Sequence, residues 1–554
     1  DFDSSDPWLE KYDIIITTNE KCLVLDEEII VVKNGKVDII PIGEFFNWLV
    51  ANSAPILYSK SKIDLVPKER LYTLAYDFNL NNVVLSPILC VTKVSNEDSL
   101  IRSSFEAGRS LTVTPDHEIF VLEKGNVIKK PSQNISGSFV LALKDTSRVF
   151  TKRHCQINLL ELIQKNNMLR EFFGEFSQID SNQLVNVLTE EGRPRRRAKC
   201  LAKYYLAIHA IPLRLFEKLE KNVKIIYIRG CKRNSEKLPC TIKLNEDFGK
   251  LIGYYISEGS SQTIRSYGYR HLRFATSSKW IVDDLVSTCE QLGLHYKIYK
   301  YTNKDGKTKY EARLSGKVLY TLFTKILALG ENAKNKRLPD FVFFAPKSFI
   351  QGVLSGLLNG DAGPSPTAIE YSTKSRKLAL QLALLLTRFN IHVKLYRQRV
   401  KNYPEVYWRV ALMGAFNIDR LRSLVKKIRP ELSAHIEKLA SASHGRDDQH
   451  ENVPARHITS LKHPTKFGHG FYVAWKRNQR VARVTVNQAS MRFRDKPSIR
   501  LAEAPLSYLK VKSNEKVEGT NTVFNIQTSH GNYFTGEGIP VSYTHLTLPT
   551  NREV

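Results

Sequence analysis

The sequence predicts a multidomain protein: a discontinuous all-β domain with an inserted α/β (α+β) module of two pseudo-symmetric repeats. Its length of 554 residues exceeds what one hydrophobic core accommodates. Short β-type runs extend over residues 22–145 and occur again after residue 504. Two helix-length apolar segments between them, 251–259 and 354–362, resemble each other and define the repeat.

The charge of the chain predicts a polyanionic partner, and nucleic acid is the best candidate. The formal net charge is +28 and the pI is about 9.6. Residues 190–240 hold fourteen Lys and Arg against five acids. A solvated basic face is the alternative interpretation of this segment. The predicted phosphate-contacting residues are Arg193, Arg195, Arg196, Arg197 and Lys199.

Membrane and disulfide classes are excluded by simpler observations. No apolar run approaches the ~18 residues of a membrane helix, and no signal peptide opens the sequence. The seven cysteines are odd in number and include no CxxC pair, which predicts a reducing compartment and no zinc site. We therefore expect a cytoplasmic, nucleoid-associated protein with no membrane partner.

The two apolar segments carry small residues at helical spacing. LIGYYISEG (251–259) has Gly253 and Ser257, and LSGLLNGDA (354–362) has Gly356 and Gly360. Small residues four apart lie on one helix face and let two backbones approach closely. The sequence therefore predicts a close helix pair at a pseudo-twofold axis.

Each segment ends in an acid, Glu258 or Asp361, and these acids are 103 residues apart. A carboxylate at a helix C-terminus opposes the helix dipole, and two adjacent carboxylates repel. Mg²⁺ would relieve both effects and position a water against a phosphodiester. We expect Glu258 and Asp361 to be catalytic metal ligands. A buried helix pair whose acids only cap exposed ends is the alternative.

Residues 241–430 resemble the LAGLIDADG (dodecapeptide, DOD-type) homing endonucleases through these two motifs. The resemblance implies helices at the domain interface, metal-binding acids, and sheets in the major groove of double-stranded DNA as the partner. Glu258 replaces the usual Asp, and Ala362 replaces the usual Gly. KRLPD (336–340) resembles the family's Lys-x-x-Pro block, so Lys336 is the candidate transition-state lysine. For the matching lysine, Lys427 and Lys438 are both open.

A second group of residues points to acyl chemistry on a peptide bond. In TVTPDHEIF (112–120), Thr114 and His117 are three apart within a strand-rich segment. A hydroxyl and an imidazole can hydrogen-bond an amide, and His can protonate a leaving nitrogen. Such a pair within a sheet is more often structural. The terminal stretch VFNIQTSHGNYFTGEGIP (523–540) adds a strand, a histidine and a glycine-rich approach.

Together these stretches resemble the splicing blocks of an intein, with a Hint (hedgehog/intein, horseshoe-like) domain interrupted by the endonuclease. The resemblance implies that Cys22 is the nucleophile, that Thr114 and His117 act on the amide, and that His530 is the later-block histidine. It implies an N-to-S acyl shift, transesterification and Asn cyclisation, all without a cofactor.

The sequence departs from the intein pattern in two places. Asn525, which the resemblance makes a candidate catalytic residue, stands where the family carries Asp, so charge support for Cys22 or His117 is expected to be missing. Ser542 and Tyr543 stand where the penultimate His and terminal Asn belong, and neither can form a succinimide. VSYTHLTLPT resembles a translated sequencing adapter, so at most N-terminal acyl shift or cleavage is expected.

Residues 2–21 resemble a stretch of archaeal superfamily-two, fork-processing DNA helicases that runs into TTNEK. This resemblance implies that Lys21–Cys22 is the upstream splice junction and that the DNA target is the intein-less helicase gene. An ordinary N-terminal strand and loop is the alternative. We expect a monomer whose internal repeat supplies the pseudo-twofold axis, with Mg²⁺ needed only for DNA cleavage.

The motifs divide the chain into seven segments. The predicted segments are 1–21, a host fragment; 22–145, the first Hint half; 146–240, a basic helical linker or DNA-binding arm; 241–430, the endonuclease; 431–504, a basic insert of unclear role; 505–540, the second Hint half; and 541–554, an adapter-like tail.

Three other classes of protein stay open at this stage. One is a free-standing LAGLIDADG endonuclease or intron maturase, in which Cys22 would process nothing. Another is an intein whose endonuclease is inactive and only binds DNA, which the Glu258 replacement keeps open. A hedgehog-like autoprocessing protein is disfavoured, since those proteins lack an internal acid-paired repeat.

Overall fold

A computed structural model gives the fold of the chain. It describes residues 21–58, 62–151, 154–219, 223–231, 236–264, 269–302, 306, 308–399, 405–442, 451–458, 465, 468–477, 479–492 and 494–543. The predicted host fragment 1–20 and the tail from 544 onward lie outside the described residues. Within the described residues, no helix has both the length and the apolar character needed to cross a membrane.

The β-domain consists of residues 22–143 and 506–542, whose sixteen strands form one continuous sheet. A helix, Ile42–Asn52, packs against it. The strands are Leu23–Val24, Glu28–Lys33, Lys36–Pro41, Ser53–Tyr58, Lys62–Pro67, Tyr72–Asp77, Asn82–Ser95, Leu100–Phe105, Ser110–Val113, Glu118–Glu123, Asn126–Pro131, Phe139–Leu143, Leu506–Val517, Thr522–Thr528, Asn532–Phe534 and Pro540–Ser542.

The two parts of the β-domain are interleaved rather than stacked. Strand Thr522–Thr528 lies between Leu23–Val24 and Asn82–Ser95, and pairs antiparallel with both. Strand Leu506–Val517 likewise lies between two strands of the first part. Because each part supplies hydrogen-bond partners to the other, neither completes the sheet alone. This confirms the predicted fold class of a discontinuous all-β domain with an inserted module.

The second part of the β-domain runs slightly beyond its predicted end at residue 540. Strand Pro540–Ser542 pairs with Asn532–Phe534, and Val541 pairs with Ile119. Residues 541 and 542, assigned by sequence to the tail, are therefore part of the sheet. Strand pairing is made by backbone groups, which any side chains can accompany. The pairing of this stretch therefore could not be predicted from its resemblance to an adapter.

The inserted repeat module, residues 246–424, contains two copies of one topology: helix, two strands, helix, two strands, helix. The strands of each copy form a four-stranded sheet in the same order: first, second, fourth, third. The first copy is Glu246–Ser257, Gly259–Ile264, Tyr269–Thr276, Lys279–Gln291, Lys297–Thr302, Thr308–Ser315 and Lys317–Thr321; the second is Lys347–Asp361, Ala362–Ser365, Ala368–Thr373, Arg376–Thr387, Val393–Arg399, Val406–Met413 and Ala415–Leu424.

The first helices of the two copies, Glu246–Ser257 and Lys347–Asp361, pack directly on each other and are called the interface helices. A Cβ atom on Gly253 would lie 2.3 Å from the Val353 carbonyl oxygen. A Cβ atom on Gly356 would lie 2.5 Å from the Lys250 carbonyl oxygen. Side chains larger than hydrogen are therefore excluded at these positions, as the small-residue spacing predicts.

Substituting Gly253 is expected to destabilise the repeat module. Gly253→Ala places a methyl group against backbone that cannot rotate away, so we expect a loss of about 1–3 kcal/mol in the free energy of unfolding. Gly470→Ala is the matched control, because that helical glycine has open space around its Cβ position. Urea denaturation measures both variants. Equal stability of the two would contradict the close approach.

The arm, residues 156–243, is less helical than the sequence predicts. Its helices are Leu159–Lys165, Ser181–Glu190 and Arg195–Ala207. It also contains a four-stranded sheet, in the order Ala210–Pro212, Phe173–Phe176, Ile225–Arg229 and Lys237–Pro239. A two-stranded ladder, Gln156–Asn158 with Thr241–Lys243, joins its two ends. Strands of three to five residues are too short to give a period-two signal in the sequence.

The insert, residues 430–503, is folded and packs on the β-domain. The Arg480 guanidinium forms an ion pair with Glu106 and donates to the Tyr508 carbonyl oxygen at 2.9 Å. The Gly125 N–H donates to the His457 carbonyl oxygen at 2.8 Å. Its elements are Pro430–Ala442, Asn452–Pro454, Ala455–Ile458, His469–Lys476, Arg480–Ala482, Arg483–Arg492 and Lys496–Glu503.

A cluster of acids in the β-domain meets one arginine of the repeat module. Arg376 forms ion pairs with Glu28 and Glu537. Glu27 is buried beside them and accepts a hydrogen bond from the Thr112 N–H at 2.8 Å. Burial, reinforced by the charges of Glu537 and Glu28, raises the pKa of Glu27 to about 8. Glu27 is therefore protonated at neutral pH.

This cluster predicts a pH-dependent stability. Because the pKa of Glu27 is about 8 in the folded chain and near 4.5 when unfolded, the folded state binds the extra proton between these values. The free energy of unfolding should therefore fall as pH rises from 5 to 8, by up to about 1.4 kcal/mol per pH unit. Glu27→Gln should reduce this slope, and Glu44→Gln, an exposed glutamate, should not. Identical slopes in all three proteins would contradict the assignment.

Candidate active sites

The first site is built around Cys22, whose side chain is fully buried. Leu23 pairs with Val113 across two antiparallel strands, which places the residues flanking them side by side. The Cys22 N–H donates to Thr114 Oγ1 at 3.0 Å, and the Thr114 N–H donates to the Cys22 carbonyl oxygen at 3.0 Å. The hydroxyl of Thr114 therefore contacts the nitrogen of the Lys21–Cys22 peptide bond.

His117 lies beside the same Lys21–Cys22 peptide bond. Its N–H donates to the Thr114 carbonyl oxygen at 3.1 Å, and its side chain is fully buried. Neither ring nitrogen has a hydrogen-bond partner with good geometry among the described residues. Burial and the charge of Lys21 lower the pKa of His117 to about 3, and the backbone groups of Cys22 and Lys21 partly oppose this shift. The imidazole is therefore neutral and faces the peptide before Cys22.

Asn525 contacts the other end of this bond. Its Nδ2 donates to the Lys21 carbonyl oxygen at 2.5 Å, and its Oδ1 accepts a hydrogen bond from the Tyr533 hydroxyl at 3.2 Å. Both side chains are buried. The charge of an Asp is absent, as the sequence shows. An amide donor on the carbonyl that a nucleophile attacks can stabilise the developing oxyanion.

His530 lies between the last strands of the β-domain, Thr522–Thr528 and Asn532–Phe534. Its Nδ1 is 2.9 Å from Ser86 Oγ, and its Nε2 is 3.7 Å from a carboxylate oxygen of Asp77. The Tyr543 N–H donates to the carbonyl oxygen of the next residue, Gly531, at 2.9 Å. His530 is therefore placed beside the position where an intein carries its terminal Asn.

Tyr533 contacts Asn525 in this site, and no role for it was predicted from the sequence. Its side chain is fully buried, and burial raises its pKa. Ionisation of Cys22 or Tyr543 would raise this pKa further, so both residues lie near the phenol. The only sequence signal was an aromatic pair after His530, which is typical of any β-sheet core.

The second site lies at the ends of the interface helices. Asp361 is the last residue of Lys347–Asp361, and Glu258 directly follows Glu246–Ser257. Burial raises the pKa of Glu258 to about 7. Burial, and next the charge of Glu258, raise the pKa of Asp361 to about 7. The structure thus brings together the two acids that the repeat predicts.

Lys336 lies close to these acids. Its Nζ donates to the Tyr255 carbonyl oxygen at 2.7 Å and lies 3.6 Å from the centroid of that ring. Burial lowers the pKa of Lys336 to about 7, and the carboxylate of Asp361 opposes the shift. A buried lysine next to the acid of the second repeat can act on a phosphate bound there.

The basic residue that lies beside the acids in the second repeat is Arg429, which was not among the sequence candidates. Its guanidinium donates to the Ala362 carbonyl oxygen, and its charge opposes the raised pKa of both Glu258 and Asp361. Of the two candidates, Lys427 forms an ion pair with Asp284. KIRP (427–430) repeats the Lys-x-x-Pro pattern of KRLP (336–339), but this spacing indicates Lys427 and not Arg429.

The second candidate, Lys438, is exposed on helix Pro430–Ala442. Among the described residues, no hydrogen bond or ion pair joins its side chain to Glu258 or Asp361.

The donor set at the helix ends fits Mg²⁺ when substrate phosphates complete it. Glu258 and Asp361 are buried carboxylates, and the Tyr371 hydroxyl beside them is buried with no partner among the described residues. The described part of the chain contains no group of three or more His, Cys, Asp or Glu arranged to hold a metal alone. Mg²⁺ commonly takes one or two carboxylates, waters and phosphate oxygens.

The predicted phosphate-contacting residues of the arm are all on its surface. Residues 191–194 form a four-residue turn between helices Ser181–Glu190 and Arg195–Ala207, with Gly192 at φ +79°. Ala198 faces the core of the arm. The exposed basic residues at the start of the second helix are Arg193, Arg195, Arg196, Arg197 and Lys199. Two helices joined by a short glycine-containing turn are a common DNA-binding arrangement.

Comparison with known proteins finds a family match in the repeat module. Residues 245–327 and 348–426 match the LAGLIDADG-like domain family, one stretch for each repeat. Both copies of the repeat module are thus similar to this family, as the sequence predicts. The match does not extend to the β-domain, the arm or the insert.

Full-length relatives are much longer than this chain. A DNA polymerase II large subunit from Thermococcus kodakarensis is 27% identical over 386 residues, which cover 67% of this chain and 20% of the relative. An uncharacterized protein from Methanocaldococcus jannaschii is 26% identical over 351 residues, covering 60% of this chain and 37% of the relative. The chain thus corresponds to about a fifth and about a third of these two proteins.

Solved structures match separate parts of the chain. A crystal structure of an intein from a hyperthermophile is 25% identical, with a TM-score of 0.21, over 22% of this chain and 73% of that chain. The homing endonuclease I-WcaI bound to its DNA recognition sequence is 15% identical, with a TM-score of 0.27, over 35% of this chain and 88% of that chain.

Proposed function

We propose that this chain is an intein: it breaks the peptide bond before Cys22 with its own thiol and carries a site-specific DNA endonuclease. The observation that carries the first activity is the set of contacts on one peptide bond. Thr114 Oγ1 accepts a hydrogen bond from the N–H of this peptide bond, and Asn525 Nδ2 donates one to its carbonyl oxygen. The LAGLIDADG-like match and the paired acids support the second activity.

The acyl shift follows from these contacts. The Cys22 sulfur attacks the carbonyl carbon of Lys21, and the C–S bond forms as the C–N bond breaks. Asn525 stabilises the negative charge on the oxygen, and the proton lost by the thiol ends on the released Cys22 amine. His117 is neutral and faces this bond, so it can carry that proton. No cofactor takes part in this step.

DNA cleavage uses the ends of the interface helices. Mg²⁺, held by Glu258 and Asp361, would supply a Lewis acid and an activated water for phosphodiester hydrolysis. Lys336 and Arg429 provide positive charge beside the same acids and would stabilise the charge of the phosphate in the transition state. The four-stranded sheets of the repeats would lie in the major groove and read base edges.

The host and the target follow from residues 2–21, which resemble an archaeal fork-processing helicase. We infer that the chain interrupts such a helicase and that the cleaved site is in the intein-less helicase gene. A monomer acting near the nucleoid in the cytoplasm fits an internal repeat and a net charge of +28. Cleavage assays on plasmids with and without that site test this, and equal cleavage of both would contradict it.

Dithiothreitol treatment tests the peptide-cleaving activity directly. A thioester at Cys22 should release residues 1–21, and intact-mass analysis should find that fragment. A second candidate function is an intein whose endonuclease only binds DNA; the observation that favours it is Glu258 in place of the usual Asp. Binding without Mg²⁺-dependent nicking would select the second candidate.

The arm should contribute to DNA affinity through phosphates. The triple variant Arg195→Ala, Arg196→Ala, Arg197→Ala should bind more weakly and lower the slope of log K against log salt by up to about 3, at roughly 0.9 per lost contact. Lys510→Ala, Lys512→Ala, Lys516→Ala removes the same charge from three exposed positions on a strand of the β-domain and is the control. Fluorescence anisotropy at several salt concentrations measures both. Equal slopes would contradict a phosphate-contacting arm.

A further inference from the structure

We propose that Glu118 selects a basic side chain at the position before the cleaved bond, so that it sets which residue can precede Cys22. This inference rests on the proposed acyl shift. The Lys21 Nζ lies 2.8 Å from Glu118 Oε1. Glu118 begins the strand Glu118–Glu123 and directly follows His117, so the carboxylate is next to the catalytic imidazole in the chain.

The pair is partly shielded from solvent, so it is stronger than a free surface pair. The exposed fractions of the two side chains are 22% for Lys21 and 24% for Glu118. Lys129 lies 3.8 Å from the other carboxylate oxygen of Glu118. The Lys21 carbonyl oxygen also accepts a hydrogen bond from the Asn525 side-chain amide. Lys21 is therefore held both at its backbone and at its side-chain ammonium.

The pair also balances charge at His117. The Lys21 ammonium lowers the pKa of the buried imidazole, and the Glu118 carboxylate raises it. An acidic residue at position 21 would face Glu118 with like charge and be pushed out of this position. The recognised class is therefore a long basic side chain, Lys or Arg, preceding the nucleophile.

Charge exchange tests the proposal in the full chain. Lys21→Glu and Glu118→Lys should each lower the rate of dithiothreitol-induced cleavage about two- to fivefold, the range that partly exposed ion pairs contribute. The double variant should recover to within about twofold of the original rate. At 1 M NaCl, where the screening length is about 3 Å, the difference between Lys21→Glu and the original chain should shrink.

Lys21→Met separates charge from side-chain length, and we expect it to lie between the original chain and Lys21→Glu. Equal rates for the original chain, Lys21→Met and Lys21→Glu would overturn the proposal. A double variant as slow as the slower single variant would also overturn it, because a merely structural role for Glu118 predicts no rescue. If the original chain releases no fragment, the acyl shift itself fails, which is a distinguishable result.

Discussion

Cys22→Ala is expected to abolish thiol-induced release of residues 1–21. Alanine has no side-chain nucleophile to attack the Lys21 carbonyl, whose oxygen accepts a hydrogen bond from Asn525. The expected loss is complete within detection, because the substitution removes the bond-forming atom. Intact-mass analysis after incubation with dithiothreitol measures it.

Cys200→Ala is the control for this substitution. Cys200 is an exposed thiol on the arm, so its loss changes the thiol count without touching the β-domain. We expect cleavage in this variant at the original rate. Release of residues 1–21 from Cys22→Ala would show that another group cuts the bond, and the proposed acyl shift would then be wrong.

Asp361→Asn is expected to abolish DNA nicking and leave DNA binding nearly unchanged. The amide has almost the shape of the carboxylate but cannot supply the negative charge that holds Mg²⁺ beside Glu258. Supercoiled-plasmid nicking with Mg²⁺ measures cleavage, and anisotropy measures binding. Because the basic surface of the arm is untouched, affinity should change less than twofold, roughly the scatter of additive distant sites.

Asp283→Asn is the matched control, since Asp283 is an exposed acid on helix Lys279–Gln291. It should nick DNA at the original rate. Full nicking by Asp361→Asn would place the catalytic metal elsewhere. Loss of both nicking and binding would instead indicate that Asp361 is needed for folding of the interface helices.

The parts of the fold that could be predicted are those whose signals are local in the sequence. The glycines and acids of the interface helices repeat at one offset, and a helix fixes which face they share. Cys22 and the segment with Thr114 were predicted to meet only because they resemble known splicing blocks. The hydrogen bond between Cys22 N–H and Thr114 Oγ1 depends on strand register, which the sequence does not show.

The rest depends on contacts between residues far apart in the sequence. Asn525 is 504 residues from Lys21, and its hydrogen bond exists because strand Thr522–Thr528 inserts beside Leu23–Val24. From the sequence, Asn525 is a candidate catalytic residue without the charge of Asp, and its role as a donor to the Lys21 carbonyl oxygen could not be predicted. Arg429 was missed for a similar reason, since Lys427 matches the motif but its side chain pairs with Asp284.

Hydroxylamine trapping tests most directly whether the sulfur of residue 22 takes the acyl group from the preceding lysine. Hydroxylamine attacks a thioester but leaves an ordinary amide intact at neutral pH. We predict a 21-residue fragment that ends in a hydroxamate, together with a remaining chain that begins with a free N-terminal cysteine. An uncleaved chain, or a fragment ending at another residue, would contradict the account.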